Sequence, residues 1–123
     1  MVTLDQIRER LKYLQKWITT IGTTDLFSSN VPEKAMRYVV AVFLQAKDTT
    51  AVVSIKKKTE AGAYEVIFPE VNVAVSEIKA IPPQGYNLEH PVIALEGGTN
   101  LAAELVSGTS ASVTVIYWDS EVL

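Results

Sequence analysis

The 123-residue sequence has no cysteine and a single histidine, His90. Disulfide staples, thiolate zinc sites and cysteine nucleophiles are therefore excluded, and a metal centre or nucleophilic triad would have one imidazole to draw on. Positive charge is not in excess: 11 Lys and Arg stand against 14 Asp and Glu, a formal net charge of -3. Proteins that grip a phosphate backbone usually carry a basic excess or stripe, so nucleic acid is not an expected partner. No apolar run approaches the ~20 residues of a membrane-spanning helix. Asp5, Arg8, Glu9, Arg10, Lys12 and Lys16 break up the N-terminal stretch, which lacks the apolar core of a secretory signal. No membrane partner is expected, and the protein is expected to be cytoplasmic when synthesised.

Hydrophobic residues make up 48% and charged residues 20%. That balance is globular, and the length suits one domain able to bury a core without staples. The surest element is Ala111 to Asp119. Val113, Val115 and Tyr117 fall on one parity and Thr114, Ile116 and Trp118 on the other, which predicts a strand apolar enough to need an interior place in a sheet. Tyr117 and Trp118 must then point to opposite faces.

At the other end, Leu4, Ile7, Leu11, Leu14, Ile18 and Ile21 alternate by threes and fours. This spacing predicts a helical arm over residues 1–22, with Thr3 and Gln6 as a capping box and Gly22 as the C-terminal cap. The seam spans about two and a half heptads, short of the three or four of a convincing coiled coil. Two uses are open to it: packing on the chain's own sheet, or meeting copies or another protein. Tyr13 and Trp17 lie off the seam and would be partly exposed, which favours a second contact surface.

Residues 23–35 read as a connection. It is rich in turn formers, and Leu26, Phe27 and Val31 serve as anchors. The remainder, 36–123, alternates short β patterns with turn signals. Met36–Ala46 is apolar on both parities, as a central strand is, and Thr50–Lys57 returns from it. Lys56, Lys57 and Lys58 close that element as a solvated strand end that discourages edge pairing. Tyr64–Phe68 and Val71–Val75 flank Pro69, where the chain is expected to bend between sheets. Ile78–Ile81, Tyr86–Leu95 and Leu101–Val106 complete the set. The expected fold class is mainly β: an N-terminal α-helix followed by a seven- or eight-stranded antiparallel β-sandwich with Greek-key or jelly-roll connections.

Catalytic chemistry finds little to stand on. His90 and Glu89 are neighbours and would point apart on a strand, and before Pro91 the histidine fits an extended turn. Gly97-Gly98-Thr99 lacks the spaced glycine and Lys-Ser/Thr of a phosphate loop and reads as a tight turn. Glu60, Glu65, Glu70, Glu77, Glu89, Glu96, Glu104, Asp119 and Glu121 are scattered, with nothing to select an acid/base pair. The protein is expected not to be an enzyme, and no catalytic, metal or cofactor residues are assigned.

Pro82-Pro83-Gln84-Gly85-Tyr86 leading into Pro91-Val92-Ile93-Ala94-Leu95, then Gly97-Gly98-Thr99-Asn100-Leu101, and the closing Val113–Asp119 strand give residues 36–119 a resemblance to small jelly-roll or β-sandwich proteins of virus and bacteriophage particles, capsid decoration (cement) proteins in particular. The resemblance implies a structural protein at the virion surface that forms a homo-oligomer, a trimer by preference, and binds a capsid shell protein. Its interface would be Leu4, Ile7, Leu11, Leu14, Trp17, Ile18 and Ile21. The alternative is a carbohydrate- or small-ligand-binding sandwich, with Tyr86 and Trp118 as contact residues.

Overall fold

The computed structural model describes residues 2–120. Met1 and the last three residues of the expected body, Glu121 among them, lie outside the described residues. Helix α1 (Leu4–Arg10) opens the chain, capped as the sequence predicts. Thr3 Oγ1 accepts from the Gln6 N–H at 3.2 Å, and Gln6 Oε1 accepts from the Thr3 N–H at 2.8 Å.

The helix then stops, well short of residue 22. Leu11 is already extended, and Lys12–Ile18 forms strand β1, antiparallel to the C-terminal strand β9 (Ala111–Asp119) over its whole length. The stretch satisfies two periods at once. Leu14 and Ile18 fit a helical stripe, but Leu14, Lys16 and Ile18 also alternate with Tyr13, Gln15 and Trp17. A helix this short is marginal alone, while pairing with β9 supplies a ladder suited to Tyr, Trp and Ile. The six aliphatics of the expected seam are thereby scattered. Ile7 and Leu11 join a small cluster beneath the helix, Ile18 and Leu14 join the main core, Leu4 is half-buried, and Ile21 is 58% exposed in the turn that follows.

The remaining strands are β2 (Gly22–Asp25), β3 (Arg37–Ala46), β4 (Ala51–Lys58), β5 (Tyr64–Val73), β6 (Ile78–Ile81), β7 (Ile93–Leu95) and β8 (Asn100–Ser107). One sheet has the order β1-β9-β3-β6, with β7 sharing with β6 the free side of β3; the other has the order β2-β8-β4-β5. All ladders between named strands are antiparallel. The nine strands among the described residues exceed the seven or eight expected, because β1 and β2 come from the supposed arm and connection. Conversely, Pro69 does not split its region. β5 runs through it as an edge strand, where the missing N–H can face solvent. Tyr86–Leu95 is strand only over its last three residues.

As expected, β3 and β9 are interior. They pair with each other from Arg37–Asp119 to Ala46–Ala111, with a bulge between Val39 and Ala41. Between the sheets lies one core, to which Val39, Val42, Leu44, Val53, Ile55, Leu101, Leu105, Val113 and Val115 contribute. Each fully buried aliphatic is worth about 1.5–3 kcal/mol of transfer free energy.

The 23–35 connection is held to this core as its anchors suggested: Leu26, Phe27 and Val31 are buried. Asn100 imitates a strand partner for it, its amide donating to the Phe27 carbonyl (3.0 Å) and its Oδ1 accepting from the N–H of Phe27 (3.4 Å) and of Leu101 (2.8 Å). Arg37 meets Asp119 through two parallel hydrogen bonds (2.7 and 3.0 Å), and its guanidinium stacks against Phe27 (4.4 Å) and Tyr117 (4.8 Å).

Candidate interaction surface

The outer faces of the two sheets are finished differently. On the β2-β8-β4-β5 sheet Lys56 meets Glu104 (2.7 Å) and Lys58 meets Asp25 (2.9 Å), while Lys57, opposite the core residue Leu101, turns to the inner face and meets Glu96. Tyr64 donates to the second Asp25 oxygen (2.8 Å). The run does close β4, as expected, but β4 is an inner strand and the lysines are neutralised within the chain rather than guarding an edge.

Burial raises the Asp25 carboxyl, but the hydrogen bonds from Lys58 and Tyr64, with the charges of Lys58 and Lys16, outweigh this and hold it below 3.8. The Lys58 ammonium is raised above its ordinary value, first by the hydrogen bond to Asp25 and then by its charge. A depressed acid stabilises the folded state above its unfolded pKa and loses that contribution as pH falls through the folded value. We expect the thermal midpoint of Asp25→Asn to fall less than that of the parent between neutral pH and pH 3. Parallel melts in matched salt check this, and equal slopes would remove Asp25 from the acid response.

The outer face of the β1-β9-β3-β6 sheet is instead uncharged, its apolar side chains interspersed with Gln, Ser and Thr. Pairing places Tyr13, Gln15 and Trp17 of β1 beside Ile116, Thr114 and Ser112 of β9, then Ala41, Phe43 and Gln45 of β3, then Ala80 and Ile78 beside the last two. Tyr13 is 77%, Ile78 63% and Trp17 46% exposed. Tyr13 and Trp17 are exposed because they alternate away from the core on a strand, whereas the sequence placed them beside a helical seam. Ile78 carried no signal of its own: only the β3–β6 pairing brings it onto this face.

At one end α1 covers the same face. Ile7, Val40 and Trp118 form a buried cluster there, with Tyr38 against the Trp118 ring at 4.6 Å. As expected, Trp118 and Tyr117 point to opposite faces, Tyr117 packing on the main core. Val2, Ile7, Tyr38, Leu88, Glu89, Pro91, Trp118 and Ser120 line a cleft of about 400 Å³ beside the helix. Trp118 is 7% exposed, and its indole Nε1 has no hydrogen-bond partner among the described residues. Tyr86 is exposed and does not line this cleft.

His90 closes a turn, its N–H donating to the Asn87 carbonyl at 3.0 Å. Among the described residues no three His, Asp or Glu side chains converge as a metal site would require. No helix among them is long and apolar enough to cross a membrane.

The molecule is thus a mainly β protein of two antiparallel sheets sharing a core, with one short helix near its N-terminus. No protein-family model and no curated protein matches the chain. Among solved structures it is similar to a chain from the capsid of the Helicobacter pylori bacteriophage KHP30, with 12% identity, a TM-score of 0.49, and coverage of 92% of this chain and 94% of that one. The Drosophila NLP core, whose structure concerns pentamer formation and histone binding, aligns with 10% identity and a TM-score of 0.48, over 89% of this chain and 99% of that one. VP2 of infectious bursal disease virus aligns with 10% identity and a TM-score of 0.47, over 89% of this chain but 35% of VP2, so the chain spans about a third of that protein. At such identities and scores these likenesses carry no argument about function.

Proposed function

We propose that this is a non-enzymatic structural protein that works by assembly, self-associating and joining a larger particle in the manner of a capsid decoration (cement) or minor virion protein. The observation that carries the reading is the open, uncharged face bearing Tyr13, Trp17 and Ile78, set against an opposite face whose Lys56 and Lys58 are neutralised within the chain. Large apolar side chains gathered on one face of a soluble domain mark a surface that is covered in use. The strand orders support the same reading by fold analogy. We read the successive crossings between β1-β9-β3-β6 and β2-β8-β4-β5 as those of a jelly-roll sandwich, an architecture used in viral capsids and in lectins. A trimer bundled through a long helix finds no such helix among the described residues, and the working surface moves from the seam to the sheet.

Native mass by light scattering tests the reading. The parent is expected above monomer mass, and the triple variant Tyr13→Ser, Trp17→Ser, Ile78→Ser is expected to be folded by circular dichroism but monomeric. A parent that stays monomeric and fails to bind particles sinks the proposal.

The ligand-binding alternative is favoured by one feature, the cleft of about 400 Å³ that Trp118 helps to line. A sugar- or small-molecule-dependent rise in melting temperature, abolished by Trp118→Phe, is its expected signature. No shift across a broad panel removes it.

A further inference from the structure

The sheet edges are not equally protected. β2, β6 and β7 have only four, four and three residues. β5 is longer but carries Pro69, a left-handed Glu70 (φ 28°) and two register shifts against β4. These are devices by which proteins blunt an edge. β1 has none of these, and the charges it does carry are Lys12 and Lys16, the latter reaching across to the Asp25 carbonyl at 3.0 Å. Its seven residues pair with β9 from Lys12–Tyr117 to Ile18–Ala111 without a register shift, and contain no proline or glycine. The side of β1 away from β9 has no strand partner among the described residues.

We propose that β1 pairs with β1 of a second copy, antiparallel about a two-fold axis at Gln15, joining two sheets into one continuous sheet. This rests on the self-assembly reading and names its geometry. Paired residues must lie on the same face, which limits a two-fold pair to registers centred on a residue. Centring on Leu14 sets Lys12 opposite Lys16 twice, and centring on Lys16 sets the two Lys16 side chains face to face. Like charges directly opposite are destabilising. Centring on Gln15 avoids both, setting Lys12 opposite Ile18 and Lys16 opposite Leu14. On the exposed face it sets Tyr13 against Trp17 twice, the aromatic cross-strand pairing that stabilises antiparallel ladders. Neither α1, which lies against the exposed face, nor β2, which belongs to the other sheet, pairs with this edge.

The absence of cysteine makes a clean test possible. Under mild oxidation, Gln15→Cys is expected to form a covalent dimer, because facing Cβ atoms in such a pair come within reach of a disulfide. Tyr13→Cys and Trp17→Cys are each expected to cross-link poorly alone and efficiently when mixed, and Glu65→Cys on β5 serves as the control. Gln15→Lys, which sets like charges at the axis and removes the amide that donates to Ser112 Oγ (2.9 Å), is expected to abolish the β1-mediated association while the diluted protein stays folded by circular dichroism. Oligomers by mass without a Gln15→Cys cross-link above the Glu65→Cys level overturn the edge pairing and leave self-assembly standing. A monomeric parent with no cross-link overturns both.

Discussion

Replacing Arg37 with methionine is expected to destabilise the fold by about 3–5 kcal/mol, the cost of leaving one partner of a buried ion pair alone. The side chains of Arg37 and Asp119 are mostly buried, and Asp119 would lose both guanidinium hydrogen bonds at once. The guanidinium also fills the space beside the Phe27 and Tyr117 rings, which themselves meet edge to face at 4.8 Å. These contacts tie the 23–35 connection, the start of β3 and the end of β9 into one knot. Arg37→Lys keeps the charge but neither the fork nor the stack, and should recover only part of the loss. Urea unfolding midpoints of the two variants and of the Arg37→Met, Asp119→Leu double variant check this. The double variant should be more stable than Arg37→Met alone, because no carboxylate is left stranded. If Arg37→Met unfolds within 1 kcal/mol of the parent, an estimate at the surface-pair level, the knot has no such role.

Gly97→Ala is expected to have the other large effect, about 3 kcal/mol or more, in the range reserved for steric conflict at a packed site. An added Cβ would overlap the backbone oxygen, carbon and Cα of Glu33, none of which can swing aside. Val31 already pairs with this turn, accepting from the Gly98 N–H and donating to the Thr99 carbonyl, both at 2.8 Å. Relief would therefore peel the connection away from β8. Gly62→Ala is the matching control: its φ of +90° strains any side chain, but nothing lies within 4 Å. It should cost only about 1 kcal/mol, the ordinary penalty for a positive φ. Similar melting temperatures for the two variants would show that the close approach at Gly97 does not matter. The tight turn expected here is real, and packing against Glu33 gives the glycine a purpose that a phosphate-loop reading would have missed.

Much of the architecture could be read from the chain directly. β3 and β9 announce themselves because they are apolar on both parities, which suits an interior strand and little else of that length. The capping box is local, as are the turns at Glu96–Thr99 and Asn87–His90, and local chemistry decides them. The proposed surface was legible only in fragments. Tyr13 and Trp17 stood out as exposed aromatics, but their partner Ile78 lies in a four-residue strand whose face is defined by pairing with β3.

By itself, the sequence determined a cysteine-free, mainly β body, the capped start of a helix at Thr3 and Gln6 but not its end, and two strands that had to be interior. Tertiary structure alone decided that Lys12–Ile18 is a strand. Its side chains fit a period of two as well as one of 3.6, and only the unfilled ladder of β9 separates these. That one choice dissolves the helical seam, turns Tyr13 and Trp17 onto a shared sheet face, and leaves a regular edge where a helical arm was expected. Backbone pairing between segments about a hundred residues apart is non-local, and a sequence pattern carries no register for it.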